Sequence, residues 1–220
     1  MISLHTIQFL QQLKLNNNKD WFDKNRNQYE QAKTELKELS KNIIAEVGKF
    51  DTSIVNLEPK NCMFRINRDI RFSKDKSPYK TNMGAYFSKY GKNNGVGGYY
   101  FHIEPNKSFI GGGVYNAMPD QLKAIRQEID YNFNDLKKII SSTSFKKIFA
   151  ELQGEKLKNA PKGYDESNAA IELLKHKNLY VSHSFSDAEL MDKNFHKTFA
   201  SKAKVLYPFL QFFDTAIQPQ

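Results

Sequence analysis

An α+β fold is predicted for this chain of 220 residues: a central antiparallel sheet of about 4–6 strands, packed by a long N-terminal helix and several C-terminal helices. Three observations predict it. Apolar residues recur at three- and four-residue steps from Ile7 to Val47, they alternate at two-residue steps in the middle of the chain, and the helical step returns after Pro119. Strands gathered in the centre, with helices before and after, argue against alternating βαβ units. Hydrophobic residues make up 40% of the chain and aromatics 13%, with Phe at 17 and Tyr at 11, which is enough apolar side chain to build a core rather than stay disordered.

Ile7, Leu10 and Leu13 define a short helix that Asn16-Asn17-Asn18 ends. Phe22, Tyr29, Leu36, Leu39, Ile43 and Val47 then share one face of a long amphipathic helix from about Lys19 to Lys49, bent near Asn25. Trp21 beside Phe22 is expected to pack at the helix junction. Cys62, Phe64 and Ile66 alternate with Met63, Arg65 and Asn67 as in a strand. Met83 to Ser88, Gly98 to Glu104 and Ser108 to Tyr115 are further strands, the last two joined by Pro105-Asn106-Lys107, residues that favour a turn.

Pro119 suits the first turn of a helix carrying Leu122, Ile125 and Ile129; helical spacing continues through Leu136, Ile139 and Ile140, and again over Phe145 to Leu152. After the loop Asn159 to Tyr164 come a short helix near Ala169 to Leu174 and a strand at Leu179 to Phe185. A final helix from about Asp192 carries Phe195, Phe199, Val205, Leu206 and Phe209, and Pro208 is expected to bend or end it. No repeat, low-complexity tract or linker divides the chain, so one domain is expected over 1–220.

Several function classes are excluded as expectations. The N-terminus has no basic stretch ahead of an apolar one, and no apolar run nears the roughly 20 residues of a membrane-spanning helix, so neither secretion nor a membrane partner is expected. Cys62 is the one cysteine and has no intrachain disulfide partner, in keeping with a cytoplasmic location. Its face is shared with Phe64 and Ile66, which makes it a buried apolar residue rather than a nucleophile. The histidines at 5, 102, 176, 183 and 196 show no paired ligand spacing, so no metal site and no cofactor are predicted.

The net charge is +9, from 33 Lys and Arg against 24 Asp and Glu, and favours anionic partners. Its densest part is Arg65 to Lys80, where Arg65, Arg68, Arg71, Lys74, Lys76 and Lys80 face only Asp69 and Asp75. In an extended chain Arg65, Asn67, Asp69 and Arg71 share one side. Guanidinium forks match phosphate or carboxylate oxygens in pairs, and Asp69 would orient the arginines or act as a base. Lys74, Lys76, Tyr79 and Lys80 add donors on a loop stiffened by Pro78.

Arg65, Arg68, Asp69, Arg71 and Phe72, followed by Asp75, Lys76 and Tyr79, resemble position by position the signature Arg-x-x-Arg-Asp-x-Arg-Phe of the DUF2461 family of bacterial proteins. The resemblance extends to Asn17-Asn18-Lys19-Asp20-Trp21-Phe22, Gly98 to Ile103, Gly111-Gly112-Gly113, Ala160-Pro161-Lys162-Gly163 and Leu173-Leu174-Lys175. It implies a single compact domain. It implies no activity, substrate or catalytic residue, since the family name assigns none.

Three functions stay open. The first is binding, with hydrolysis or transfer as an added step, of a phosphorylated or carboxylated small molecule by Arg65, Arg68, Arg71, Lys74, Lys76, Tyr79 and Lys80, with Asp69 or His102 handling protons. The second is nucleic-acid binding, suggested by Phe72, Tyr79, Tyr86 and Tyr90 among the lysines. The third is a scaffold in which the charged cluster is a structural ion-pair network. His102 and Glu104 share a strand face with Tyr100, either as a site floor or as a solvated polar face. Gly111-Gly112-Gly113 lacks the ending of a phosphate loop and suits close backbone approach or a bulge. Lys156, Lys158, Lys162, Lys175 and Lys177 would either extend a positive groove or sit as favourable charges near a helix end.

Overall fold

Ser3 opens the first helix, α1 (Leu4–Leu15), by accepting a hydrogen bond from the Thr6 N–H. The computed structural model describes residues 1–93 and 95–217. Asn18 caps α2 (Lys19–Lys24), and α3 (Arg26–Val47) follows after a single break. The break falls at Asn25, whose side-chain amide donates to the Trp21 carbonyl at 2.8 Å. Trp21 stacks on Phe9 across the junction, with ring centroids 6.0 Å apart. A 3-10 turn (Thr52–Ile54) and the short α4 (Pro59–Cys62), with Pro59 at its first turn, lead into the basic segment.

Four strands form one antiparallel meander in the order β1 (Met83–Phe87), β2 (Val96–Ile103), β3 (Ser108–Val114) and β4 (Leu179–Phe185). Asn106, at a positive φ of 61°, makes the tight turn between β2 and β3. Between β3 and β4 lie α5 (Pro119–Tyr131), α6 (Phe133–Ser141), α7 (Thr143–Phe149) and α8 (Ile171–Leu174). The short α9 (Asp187–Met191) and the long α10 (Phe195–Ile217) close the chain. None of the described helices is long and apolar enough to cross a membrane.

Helix α10 packs across β2 and β3 and touches α3, α5, α6 and α7, so the core lies between this helical layer and one face of the sheet. Phe101 of β2 meets Phe195 and Phe199 of α10 at 5.5 and 5.4 Å, and Phe185 of β4 meets Phe195 at 4.9 Å. Gly112 makes the close approach possible, because a Cβ there would stand 2.9 Å from both Leu206 Cδ2 and the Gly98 carbonyl oxygen. This is the close backbone approach expected of the triple glycine.

Two local expectations change. Cys62 to Ile66 is not a strand: Cys62 ends α4, and the residues after it make only an isolated bridge between Met63 and Ala85, with Phe64 N–H donating to the Gly84 carbonyl at 3.0 Å. Pro59 starts a helical turn where the alternation suggests extension. Pro208 does not end the last helix, which continues to Ile217. Buried Phe199, Leu206, Phe209, Leu210 and Phe213 lie on both sides of the proline, and burying them outweighs the hydrogen bond it removes.

Candidate functional site

The face of the sheet away from α10 holds a cleft that α3 and α4 help to wall. In the register of β1, β2 and β3, Gly84 stands opposite His102, Tyr86 and Gly111 flank Tyr100, and Phe109 lies on the other side of His102. These residues floor a cleft of about 1140 Å³. Glycines at 84 and 111 lower the floor and leave the rings of Tyr100, His102 and Phe109 as its relief.

The walls are basic. Lys33 and Lys37, one turn apart on α3, Lys60 on α4, Arg65 beyond it, Lys80 on the returning strand-like segment and Lys92 before β2 all line the cleft, with Glu30 as the acid among them. Of these six cations, among the described residues, only Lys33 has a carboxylate partner, Glu30 at 3.2 Å. Lys92 donates to the Met63 carbonyl at 2.9 Å, which holds the loop before β2 against the start of the basic segment. Lys80 lies 5.6 Å from the centre of the Phe64 ring. Burial lowers the pKa of Lys80, and repulsion by Arg65 lowers it further.

The basic segment folds back on itself. Asn67 pairs with Tyr79, Arg68 N–H donates to the Pro78 carbonyl at 2.9 Å and Lys80 N–H to the Ile66 carbonyl at 2.8 Å, so residues 69–77 form a projecting loop. Asn17 clamps the base of this loop: its side chain donates to the Tyr79 carbonyl at 2.9 Å and accepts from the Tyr79 N–H at 3.1 Å. The Tyr79 ring is buried and stacks on Phe22 at 3.9 Å. The Asn-rich turn and the Tyr of the signature therefore meet in space.

This folding divides the predicted cluster in two. Arg65 and Lys80 face the cleft, Arg71, Lys74 and Lys76 lie on the loop, and Arg68 and Tyr79 stand at its base, Tyr79 buried against Phe22. Within the loop Arg71 holds Asp69 through two hydrogen bonds, at 2.9 and 2.7 Å. Those bonds, the Arg71 N–H and the charge of Arg65 keep the Asp69 carboxyl below the usual range, which makes it a weak base. Arg68 pairs with Asp75, whose carboxyl is also held low, first by Ser77 and then by Arg68. Lys76 donates to the Ile70 carbonyl at 3.0 Å; Lys74 and Phe72 are exposed, with Phe72 95% accessible beneath the Arg71 guanidinium.

His102 lies on the cleft floor, joined to Tyr100 on one side and Glu104 on the other. Burial pushes its imidazole down despite the Glu104 carboxylate. Cys62 is buried and its thiol is pushed up to about 11 by burial, far from a reactive thiolate. Lys156, Lys175 and Lys177 pair with Glu172, Glu166 and Glu155 outside the cleft. Lys33, Lys37, Lys60 and Lys92 were not singled out from the sequence, because a lysine on the polar side of a helix or in a loop has the same pattern whether it faces water or a site.

A family model described as "Conserved hypothetical protein (DUF2461)" matches residues 5–212. No curated protein and no solved structure matches the chain.

Proposed function

The chain belongs to the DUF2461 family, a description that assigns no activity, and from the geometry of its own residues we propose that it binds a phosphorylated or carboxylated small molecule in the cleft over the sheet. One observation carries this reading: six cationic side chains from several separate elements line a single basin whose one acid, among the described residues, is Glu30. Like charges gathered at the edge of an apolar floor repel one another, and an anion entering between them relieves that repulsion. Arg65 offers a planar fork for two ligand oxygens, Lys80 a point charge beside it. Tyr100, Phe109 and Phe64 give the body of the ligand an aromatic surface.

The cations line one basin over an aromatic floor, which suits a compact anion better than an extended nucleic-acid strand. The projecting loop, with Asp69 and Asp75 occupied by Arg71 and Arg68, is read as a structural network that frames the cleft. His102 rather than Asp69 is the proton-handling residue. A cytoplasmic setting, where phosphorylated metabolites are abundant, fits the ligand class.

Titration calorimetry with inorganic pyrophosphate as the probe tests the proposal. The Arg65→Ala/Lys80→Ala protein should bind about tenfold or more weakly than the wild type, in keeping with the loss of one or two charge-assisted contacts. The Arg68→Ala/Arg71→Ala protein should stay within about threefold. Loss of affinity in the loop variant alone would move the site out of the cleft, and no binding by the wild type would refute the ligand class.

A further inference from the structure

Alternation along the chain puts Tyr100 and His102 of β2, and Glu104 one residue beyond its end, on the same side, and their side chains are joined in a line. Tyr100 Oη lies 3.0 Å from His102 Nδ1, and His102 Nε2 lies 3.2 Å from Glu104 Oε2. An ionised carboxylate only accepts hydrogen bonds, so Nε2 carries the ring proton. A neutral imidazole then presents Nδ1 as an acceptor, and Tyr100 must be the donor. The side chains of His102 and Glu104 are only 13% and 21% exposed, and Phe109 stacks on the imidazole at 4.7 Å with the planes 18° apart. The ring is therefore held in one plane by stacking and in one tautomer by the carboxylate.

The hydroxyl also has its space reserved. A Cβ on Gly84 would stand 3.0 Å from Tyr100 Oη, so the strand opposite the relay carries no side chain there. Hydroxyl, imidazole and carboxylate thus occur in the order that activates an oxygen nucleophile, with the hydroxyl and imidazole on the floor of a basin lined by cations and the carboxylate outside its lining.

We propose that Tyr100 is a nucleophile, with His102 as its general base and Glu104 as the positioning residue, and that the cleft transfers a phosphoryl group from a phosphate monoester. This rests on the anion-binding reading of the cleft. As Tyr100 Oη bonds to phosphorus, its proton passes to His102 Nδ1 and the bond from phosphorus to the ester oxygen breaks. The departing alcohol takes that proton from the imidazolium. Water then attacks the phosphate ester on Tyr100, giving one proton to His102, and Tyr100 regains it as inorganic phosphate leaves. Burial holds the Tyr100 phenol up at about 12, so the proton has to leave as the new bond forms, which is the task of an adjacent base. Arg65 and Lys80 would hold the oxygens of the transferring group.

Labelling by 4-(fluorosulfonyl)benzoic acid reads the nucleophile directly, since its carboxylate suits the basin and its S–F bond exchanges for an S–O bond with loss of HF. Peptide mapping should find the label on Tyr100 ahead of the other ten tyrosines. His102→Gln should slow labelling by about 100-fold, the usual worth of a general base, and by far more than it changes pyrophosphate affinity. Glu104→Gln should slow it less and should shift the His102 ¹⁵N resonances away from the Nε2-protonated tautomer, a change that a purely structural glutamate would not cause. A label on other tyrosines, or on Tyr100 at an unchanged rate in a folded His102→Gln or Glu104→Gln protein, would overturn the proposal. Benzenesulfonyl fluoride, which carries no charge, separates the two claims: His102-dependent labelling of Tyr100 without any pyrophosphate binding would keep the activated tyrosine and remove the anion site.

Discussion

Asn17 shapes the site without lining it, because it fixes where the basic segment folds back. Its amide satisfies both the N–H and the carbonyl of Tyr79, whose ring is held flat against Phe22. Asn17→Ala leaves two backbone groups of a half-buried segment without these partners. It should destabilise the protein by about 1–3 kcal/mol in urea unfolding, and Asn17→Asp, which keeps an acceptor but no donor, should fall between. A change below a few tenths of a kcal/mol would show that water replaces the clamp. From sequence, Asn17 reads only as part of an Asn run that ends a helix; its partner is 62 residues away, beyond the reach of local pattern.

Among the elements, one carboxylate ties the start of α1 to α3 beside their shared apolar packing. Glu35 accepts from Ser3 N–H at 2.9 Å, Ser3 Oγ at 2.7 Å and Thr6 Oγ1 at 2.7 Å, so it caps the start of α1 from the side of α3. Partial burial opposes its ionisation, but these hydrogen bonds outweigh burial and hold its pKa below the ordinary 4.5. A carboxyl held low when folded stabilises the protein above its unfolded value, and that contribution is lost as the pH falls through the lowered folded value. Glu35→Gln should therefore cost about 1–2 kcal/mol at pH 7, allowing for solvent screening of a half-exposed group, and the cost should shrink below about pH 4. Urea unfolding at both pH values measures it; an equal cost at both would assign the effect to packing.

Helix and strand periods made most elements legible. Asn25 marked the break between α2 and α3, and the alternation at Gly98 to Glu104 placed Tyr100, His102 and Glu104 together on one face before any contact was known. The period failed where neighbours decide the outcome. Arg65 to Arg71 alternates well enough for a strand, yet extension stops near Asn67 because the chain turns back to pair with Tyr79.

At the scale of the whole molecule, one face of the sheet is packed by α10 and the other floors a cleft lined by cations. The composition announced an excess of positive charge, and the segment Arg65 to Lys80 is its densest part. Which charges work together was not legible. Arg68 and Arg71 read like Arg65 in the sequence, but the turn at residues 69–77 brings Asp75 to Arg68 and Asp69 to Arg71. Meanwhile Lys33 and Lys37, on a helix about 30 residues earlier in the sequence, line the same cleft. A crystal structure of the protein grown with pyrophosphate tests this division most directly. The anion should sit between Arg65 and Lys80 over Tyr100; an anion bound instead to Arg68 and Arg71 at the loop, or none in the cleft at saturating pyrophosphate, would contradict it.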